Sequence, residues 1–419
     1  MCTEWTEMAR WPDIENVRHD FPLLKNAGIA YLDNSATSQK PLCVLEKEKE
    51  YYENYNANPF RGLYGISVKA TDAYEEARAA AAEFIHAAPE EIIFTRNASE
   101  SLNLAAYSLG ELLIREGDEI ITSVAEHHSN LLPWQQLAAR KGASVRYMEP
   151  EADGSFDPEK LREMMNDKVR IVSLTAMSNL FGTLNDVKTL AKIAHESGSV
   201  YIADGAQSVP HTVTDVKELD VDMIAFSGHK MLGPMGIGVL YGKKELLEKM
   251  PPFLTGGEMI TTVTLEKTVY APVPHKFEAG TVNAGGAIAF AEALRYLTKT
   301  GLKRIEEREK MLTTLAVEGI KKIPNVLLIG SERPEDHHGI VTFKIEGVHP
   351  HDVSSIFSDE NIAVRAGHHC AQPLHRFLGI PSTTRASFMF YNTEEEVERF
   401  LHVLASIRGR MGYADENLL

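Results

Sequence analysis

Short apolar runs separated by amphipathic stretches fill the middle of the chain. The runs at 91–95, 119–123, 144–148, 169–175, 199–204, 223–227 and 236–241 read as strands, and apolar positions recur with helical spacing at 71–87, 98–113, 134–141 and 189–197. This alternation predicts an α/β layer around a mostly parallel, seven-stranded sheet. After Ala284-Gly285-Gly286 the texture changes to helical stretches at 287–300 and 302–321, a strand at 340–345 and a last helix at 394–408. We therefore expect a large unit at 30–289 and a smaller α+β unit made of 290–419 with residues 1–29. No repeat, low-complexity tract or Pro/Gly/Ser linker interrupts the chain, so the two should be closely joined.

Composition narrows the class. The chain has 419 residues, 44% of them hydrophobic, enough for one large or two moderate cores. With 43 Lys and Arg against 59 Asp and Glu, the net charge of −16 argues against nucleic acid or anionic membrane as partners. No run approaches the roughly 18 apolar residues of a spanning helix, and the start lacks the basic-then-apolar order of a signal, so a cytoplasmic location is expected. Three cysteines, Cys2, Cys43 and Cys370, are too few for a disulfide framework, and none is paired in a spacing suited to zinc. No metal site is expected; an individual reactive thiol is.

Candidate chemistry gathers at the strand ends. Lys230 lies in Ser227-Gly228-His229-Lys230 after the apolar run 223–226, where poor solvation disfavours its ammonium and leaves an amine able to hold an aldehyde cofactor. Asp204 ends the run 199–204 and is followed by Gly205-Ala206-Gln207, facing the crevice where α/β proteins bind ligands. Were the ligand pyridoxal phosphate, Asp204 would keep its pyridine nitrogen protonated and Gln207 would bond its ring hydroxyl. Helix capping is the alternative for Asp204. At Asn97-Ala98-Ser99 a strand passes into a helix start, a natural phosphate site around Ala98 and Ser99, to which Ser227 and His229 would add donors. His127, in Glu126-His127-His128-Ser129-Asn130, is placed to lie over such a ring. Metal binding by adjacent histidines is disfavoured because neighbours on an extended segment point apart.

A second centre is Arg365-Ala366-Gly367-His368-His369-Cys370-Ala371-Gln372-Pro373, where a cysteine stands in a polar segment that reads as loop, suited to an exposed, reactive thiol. Nearby, Thr384-Arg385-Ala386-Ser387 offers an arginine at a strand start, fit to clamp a carboxylate. A surface ion pair is the alternative for Arg385.

With these segments in this order, the chain resembles the pyridoxal-phosphate cysteine desulfurases of the class V aminotransferase family, in the SUF-system group shared with selenocysteine lyases. Residues 31–41, Tyr-Leu-Asp-Asn-Ser-Ala-Thr-Ser-Gln-Lys-Pro, are similar to the family's opening motif. The resemblance covers nearly the whole chain and implies a fold-type I homodimer with pyridoxal 5'-phosphate as cofactor and L-cysteine as substrate. By the same resemblance Lys230 is the Schiff-base lysine, His127 the ring-stacking histidine, Asp204 and Gln207 the ring partners, and Cys370 the persulfide-forming cysteine. Arg385 matches the carboxylate clamp, Asn179 an asparagine near carboxylate and ring, and Gly280-Thr281 a segment that reaches the phosphate of the other subunit. Lys230 would also move the Cα proton, with His127 as a possible proton shuttle because an ordinary imidazole titrates near neutrality. Phe60 and Tyr64 replace two histidines usual in the family, which puts any proton transfer by that segment in doubt.

The resemblance further implies transfer of the persulfide sulfur to a small acceptor protein for iron–sulfur cluster assembly. If that protein contains zinc, His351 in Val348-His349-Pro350-His351-Asp352 would help to dock it; a self-capped helix start is the alternative. A selenocysteine lyase, a same-fold aminotransferase or epimerase, and a non-enzymatic scaffold are the competing readings. The thiol argues against the second, and the intact lysine, acid and arginine against the third.

Overall fold

Alternation along each strand decides which residues face which layer. In a computed structural model, which describes residues 14–413, seven strands form one sheet: β1 (Ile92–Thr95), β2 (Glu119–Ser123), β3 (Ser144–Met148), β4 (Val169–Thr175), β5 (Val200–Asp204), β6 (Met223–Ser227) and β7 (Gly238–Gly242). Their order is β1-β7-β6-β5-β4-β2-β3, parallel throughout except that β7 runs antiparallel to both of its neighbours. Ile92, Phe94, Ile121, Ala203, Phe226 and Val239 enter one apolar cluster, while Ile93, Ile120, Ile202, Ala225 and Leu240 enter another on the opposite face. Both faces are therefore covered, as a parallel sheet requires.

On the first face lie helices α1 (Leu42–Asn54), α2 (Gly65–Phe84) and α3 (Ala284–Thr300), with α3 packed on the other two. Its small residues allow close approach: a Cβ on Gly285 would sit 3.0 Å from the Tyr51 ring. The Asn283 side chain caps α3 by accepting the Gly286 N–H. The expected helix over 98–113 is interrupted: an α-helix at Ala98–Leu104 widens into a π-helical turn, Ala105–Leu109, before Gly110–Leu113. Periodicity alone does not separate these windings, since all three keep the apolar face inward.

A second, antiparallel sheet has the order β8-β9-β11-β10, with β8 (Val326–Leu328), β9 (Ile340–Ile345), β10 (Arg365–Gly367) and β11 (Thr383–Ser387). Its core joins Val341, Phe343 and Phe388 to Leu312, Phe400 and Leu404 of the flanking helices. The N-terminal stretch divides between the cores: Phe21 and Leu24 pack in the larger one, Ala30 and Leu32 in this one. Cys2 and the rest of residues 1–13 lie outside the described residues. Among the described residues no helix is long and apolar enough to cross a membrane.

Candidate active site

The carboxyl ends of β4, β5 and β6 open on one cavity of about 320 Å³, closed on its other side by β11 and the turn that follows β10. Ala98, Ser99, His127, Asn179, Asp204, Gln207, Ser227, His229, Lys230, Cys370 and Arg385, singled out one by one in the sequence, all line it.

Lys230 ends the short turn Gly228–Lys230 directly after β6. It borders the cavity yet is poorly solvated, and burial pushes its ammonium down to about 8. The Asp204 carboxylate opposes that shift; the Arg385 guanidinium adds to it. Asp204 is the last residue of β5 and is 5% exposed. Its Oδ1 accepts the Ala206 N–H at 3.0 Å, closing a local turn rather than capping a helix. Burial raises its pKa, partly offset by that hydrogen bond and by Lys230. Gln207 donates from Nε2 to the Ser35 carbonyl at 2.9 Å, and its Oε1 is buried without a partner.

His127 accepts the Ser129 N–H on Nδ1 at 3.1 Å, so the neutral ring carries its proton on Nε2. Burial first, then Lys230, His128 and Arg385, push its pKa down to about 3. The expectation of an imidazole titrating near neutrality is thus corrected: low-dielectric surroundings and neighbouring cations keep this ring uncharged. The same causes act on His229, lowered to about 4 by burial, Lys230 and Lys40.

At the helix start, the Asn97 side chain caps by accepting the Glu100 N–H, and the Ala98 N–H donates to Ser227 Oγ at 2.8 Å. Ala98, Ser99 and Ser227 line this end of the cavity, at a helix start whose first N–H groups have no partner within the helix. Strand β7 presses against the turn: a Cβ on Gly238 would lie 2.5 Å from Asn97 Cα.

Arg385 stands in the middle of β11, not at its start, and is 3% exposed. It donates from Nη1 to the Asn179 carbonyl at 2.7 Å, lies 3.8 Å from Asp33, and keeps a buried Nε without a partner. Burial lowers its pKa to about 10. Asn179 in turn donates from Nδ2 to the His369 carbonyl at 2.7 Å.

Cys370 is exposed, in a turn rather than a regular element, and its carbonyl accepts the His128 N–H at 2.8 Å. Cys43, by contrast, is half-buried, and burial raises its thiol pKa. Sequence reasoning assigned no role to Arg365, which lines the same cavity and grips Asp33 through Nε (3.0 Å) and Nη2 (2.7 Å). The signal was the pairing of Arg365 with Arg385 across β10 and β11, a register that a linear pattern does not disclose.

Four other residues lie apart. Thr281 is exposed and lines no part of this cavity within its own chain. Phe60 meets Tyr74 and His275 edge-on, and Tyr64 is 56% exposed; neither reaches the cavity. His351 is exposed in the first turn of the helix Pro350–Asp359, whose start the His349 ring caps by accepting the His351 N–H.

The profile of the class-V aminotransferase family matches residues 30–400, and the chain belongs to that family of enzymes. Among curated relatives, a probable cysteine desulfurase of Synechocystis is 46% identical over 94% of this chain and 95% of its own. One from Streptomyces coelicolor is 44% identical over 97% and 100%. Among solved structures, the apo cysteine desulfurase of Thermococcus onnurineus superposes with a TM-score of 0.91 at 43% identity, covering 94% of this chain and 98% of that one. The cysteine desulfurase CsdA of Escherichia coli gives 0.89 at 37% identity, over 95% and 99%. A likeness of fold alone extends to C-DES, 22% identical with a TM-score of 0.81 over 93% and 98%, solved with glycine covalently linked to its PLP cofactor.

Proposed function

We propose that this chain is a pyridoxal-phosphate-dependent cysteine desulfurase that converts L-cysteine to L-alanine and holds the sulfur as a persulfide on Cys370. One observation carries the reading: a desolvated lysine and an exposed thiol, set on different sheets, border a single small cavity. The names printed for its relatives point the same way.

The residues suit this cofactor on structural grounds. Gln207 Oε1 is a buried acceptor in want of a donor, which the ring hydroxyl supplies, and Asp204 is a buried acid in want of the cationic ring nitrogen. Ser227, Ser99 and the helix start would hold the phosphate, with β7 packed too tightly behind Asn97 to admit a side chain there. When bound, pyridoxal phosphate supplies an electron sink that makes the Cα–H bond and then the C–S bond of cysteine breakable.

Lys230 would anchor the cofactor and would serve as the base for the Cα proton, since burial lowers its ammonium to about 8 and so favours the free amine. His127, held neutral, covers the ring without adding charge. Arg385 offers its unpartnered Nε, with Asn179 beside it, to the substrate carboxylate. Cys370 receives the sulfur.

We extend the reading to a homodimer in which Thr281 serves the opposite subunit's phosphate, in keeping with its exposure and with the exposed Leu63, Met235 and Leu265. A cytoplasmic place in SUF-type iron–sulfur assembly, a small acceptor protein met at His351, and functional units at 30–289 and at 1–29 with 290–419 complete the proposal. The test is cofactor absorbance together with alanine and sulfide formed from L-cysteine, for wild type and Cys370→Ser. Alanine and sulfide at full rate from the serine variant would refute the persulfide role.

A further inference from the structure

Cys370 sits in a backbone conformation that side chains disfavour. His369 and Cys370 have φ of +51° and +55°, the left-handed region in which a β-carbon crowds the carbonyl. The turn therefore needs outside support. Two tethers come from the large sheet's side: Asn179 Nδ2 to the His369 carbonyl and the His128 N–H to the Cys370 carbonyl.

A third comes from β11. Thr383 Oγ1 lies 3.0 Å from His369 Nε2 and 3.1 Å from His375 Nε2, and His375 Nδ1 lies 3.0 Å from the Ala371 carbonyl. A carbonyl only accepts, so His375 carries its proton on Nδ1 and its Nε2 accepts. The Thr383 hydroxyl must then donate to His375, and its lone pair must receive the Nε2–H of His369. This arrangement satisfies all three contacts with neutral rings, and burial keeps both imidazoles neutral, His369 lowered to about 2. The chain from His369 through Thr383 and His375 to Ala371 thus joins the residue before Cys370 to the residue after it. All three side chains are buried. The same tautomer leaves His369 Nδ1 as a buried acceptor without a partner, so Thr383 supplies the hydrogen bond this ring makes.

We propose that Thr383 and His375 are positioning residues for sulfur transfer, bridging the two flanks of Cys370 through one hydroxyl and so holding its thiol toward the Lys230 cavity. Neither lines the Lys230 cavity. The inference rests on the reading of Cys370 as sulfur acceptor.

The test compares holoenzyme variants Thr383→Val, which keeps the shape and loses the hydroxyl, and Thr383→Ser, which keeps the hydroxyl. In Thr383→Val, amide hydrogen exchange over 367–372 should accelerate, and kcat for alanine from L-cysteine should fall about 10- to 100-fold with KM and cofactor absorbance unchanged. Thr383→Ser should restore both. His375→Leu should reproduce the loss, and the double variant should be no worse than either single one, because both break the same bridge. Wild-type exchange and kcat in Thr383→Val, no rescue by serine, or additive losses would each overturn the bridge. Exchange is read independently of turnover, so a fully active Cys370→Ser would sink the desulfurase reading while faster exchange in Thr383→Val still marked the bridge as real.

Discussion

The two walls of the cavity prepare reactive groups by opposite means. On the Lys230 wall, strand ends and the turns directly after them enclose the side chains so well that burial moves their titrations: Lys230 down, Asp204 up, His127 down to about 3. On the Cys370 wall the thiol stays exposed, and what is unusual is the backbone, left-handed at two successive residues and pinned at its carbonyls. A packed strand end excludes water and can tune a proton; an exposed thiol stays wet and must be held in place instead. The difference teaches that Lys230 is prepared electrostatically and the Cys370 thiol mechanically, even though burial also lowers the pKa of Arg385, on the thiol's side of the cavity, to about 10.

The sharpest way to break this comparison is to remove each wall's principal group. Lys230→Ala should lose both stable cofactor retention and at least about a thousandfold in alanine formation, whereas Cys370→Ser should keep cofactor absorbance and lose sulfur transfer by a similar factor. Loss of cofactor from the serine variant would show the walls to be one unit.

Next in size is Arg385. Arg385→Ala should raise KM for L-cysteine about 10- to 100-fold, as expected for a charge-assisted pair, and Arg385→Lys should recover only part of it. Unchanged KM in equilibrium binding and turnover would remove the clamp from the account.

Acid titration sharpens the electrostatic half. Because burial lowers the Lys230 pKa to about 8, cofactor capture by the apo-protein should quicken as pH rises toward 8 and level off above it. Asp204 raises that pKa, so Asp204→Asn should move the midpoint lower still. A midpoint near that of free lysine would break the desolvation argument.

The smallest expected effect is a pair of glycine substitutions read by urea unfolding. Gly238→Ala forces a Cβ to 2.5 Å from Asn97 Cα and should cost about 1–3 kcal/mol. Gly379→Ala, near the cysteine wall, has φ of +66° and open space around it, and should cost about 1 kcal/mol of backbone strain. A cost for Gly238→Ala no greater than that backbone strain would mean that β7 is not tightly packed against Asn97.

Much of this was written in the linear pattern. Each of the seven apolar runs became a strand of the large sheet, and Asp204 indeed ends its strand, because a buried strand must be apolar until it meets solvent or ligand. What depends on register was not legible. The pairing that sets Arg365 beside Arg385, and the meeting of His369 with Thr383 and His375, arise only when β10 and β11 align. Nor does a sequence carry dielectric: His127 looked like a neutral-pH titrator until its surroundings were known.

Among the described residues strand β1 has β7 as its only neighbour in the sheet, although β1 is the first of the seven strands in sequence and β7 the last. Seen in time rather than in space, this makes β1 the strand that waits longest. During synthesis its run Ile92-Ile93-Phe94 leaves the ribosome before β2 to β6 are made, and it finds its place only after Gly238–Gly242 follows. The helix start at Ala98, which directly follows this strand, is tied to Ser227 at the end of β6, so its partner too is made late. A nascent chain stalled before β7 therefore carries an apolar strand without its sheet partner, the kind of unpaired edge that favours misassociation.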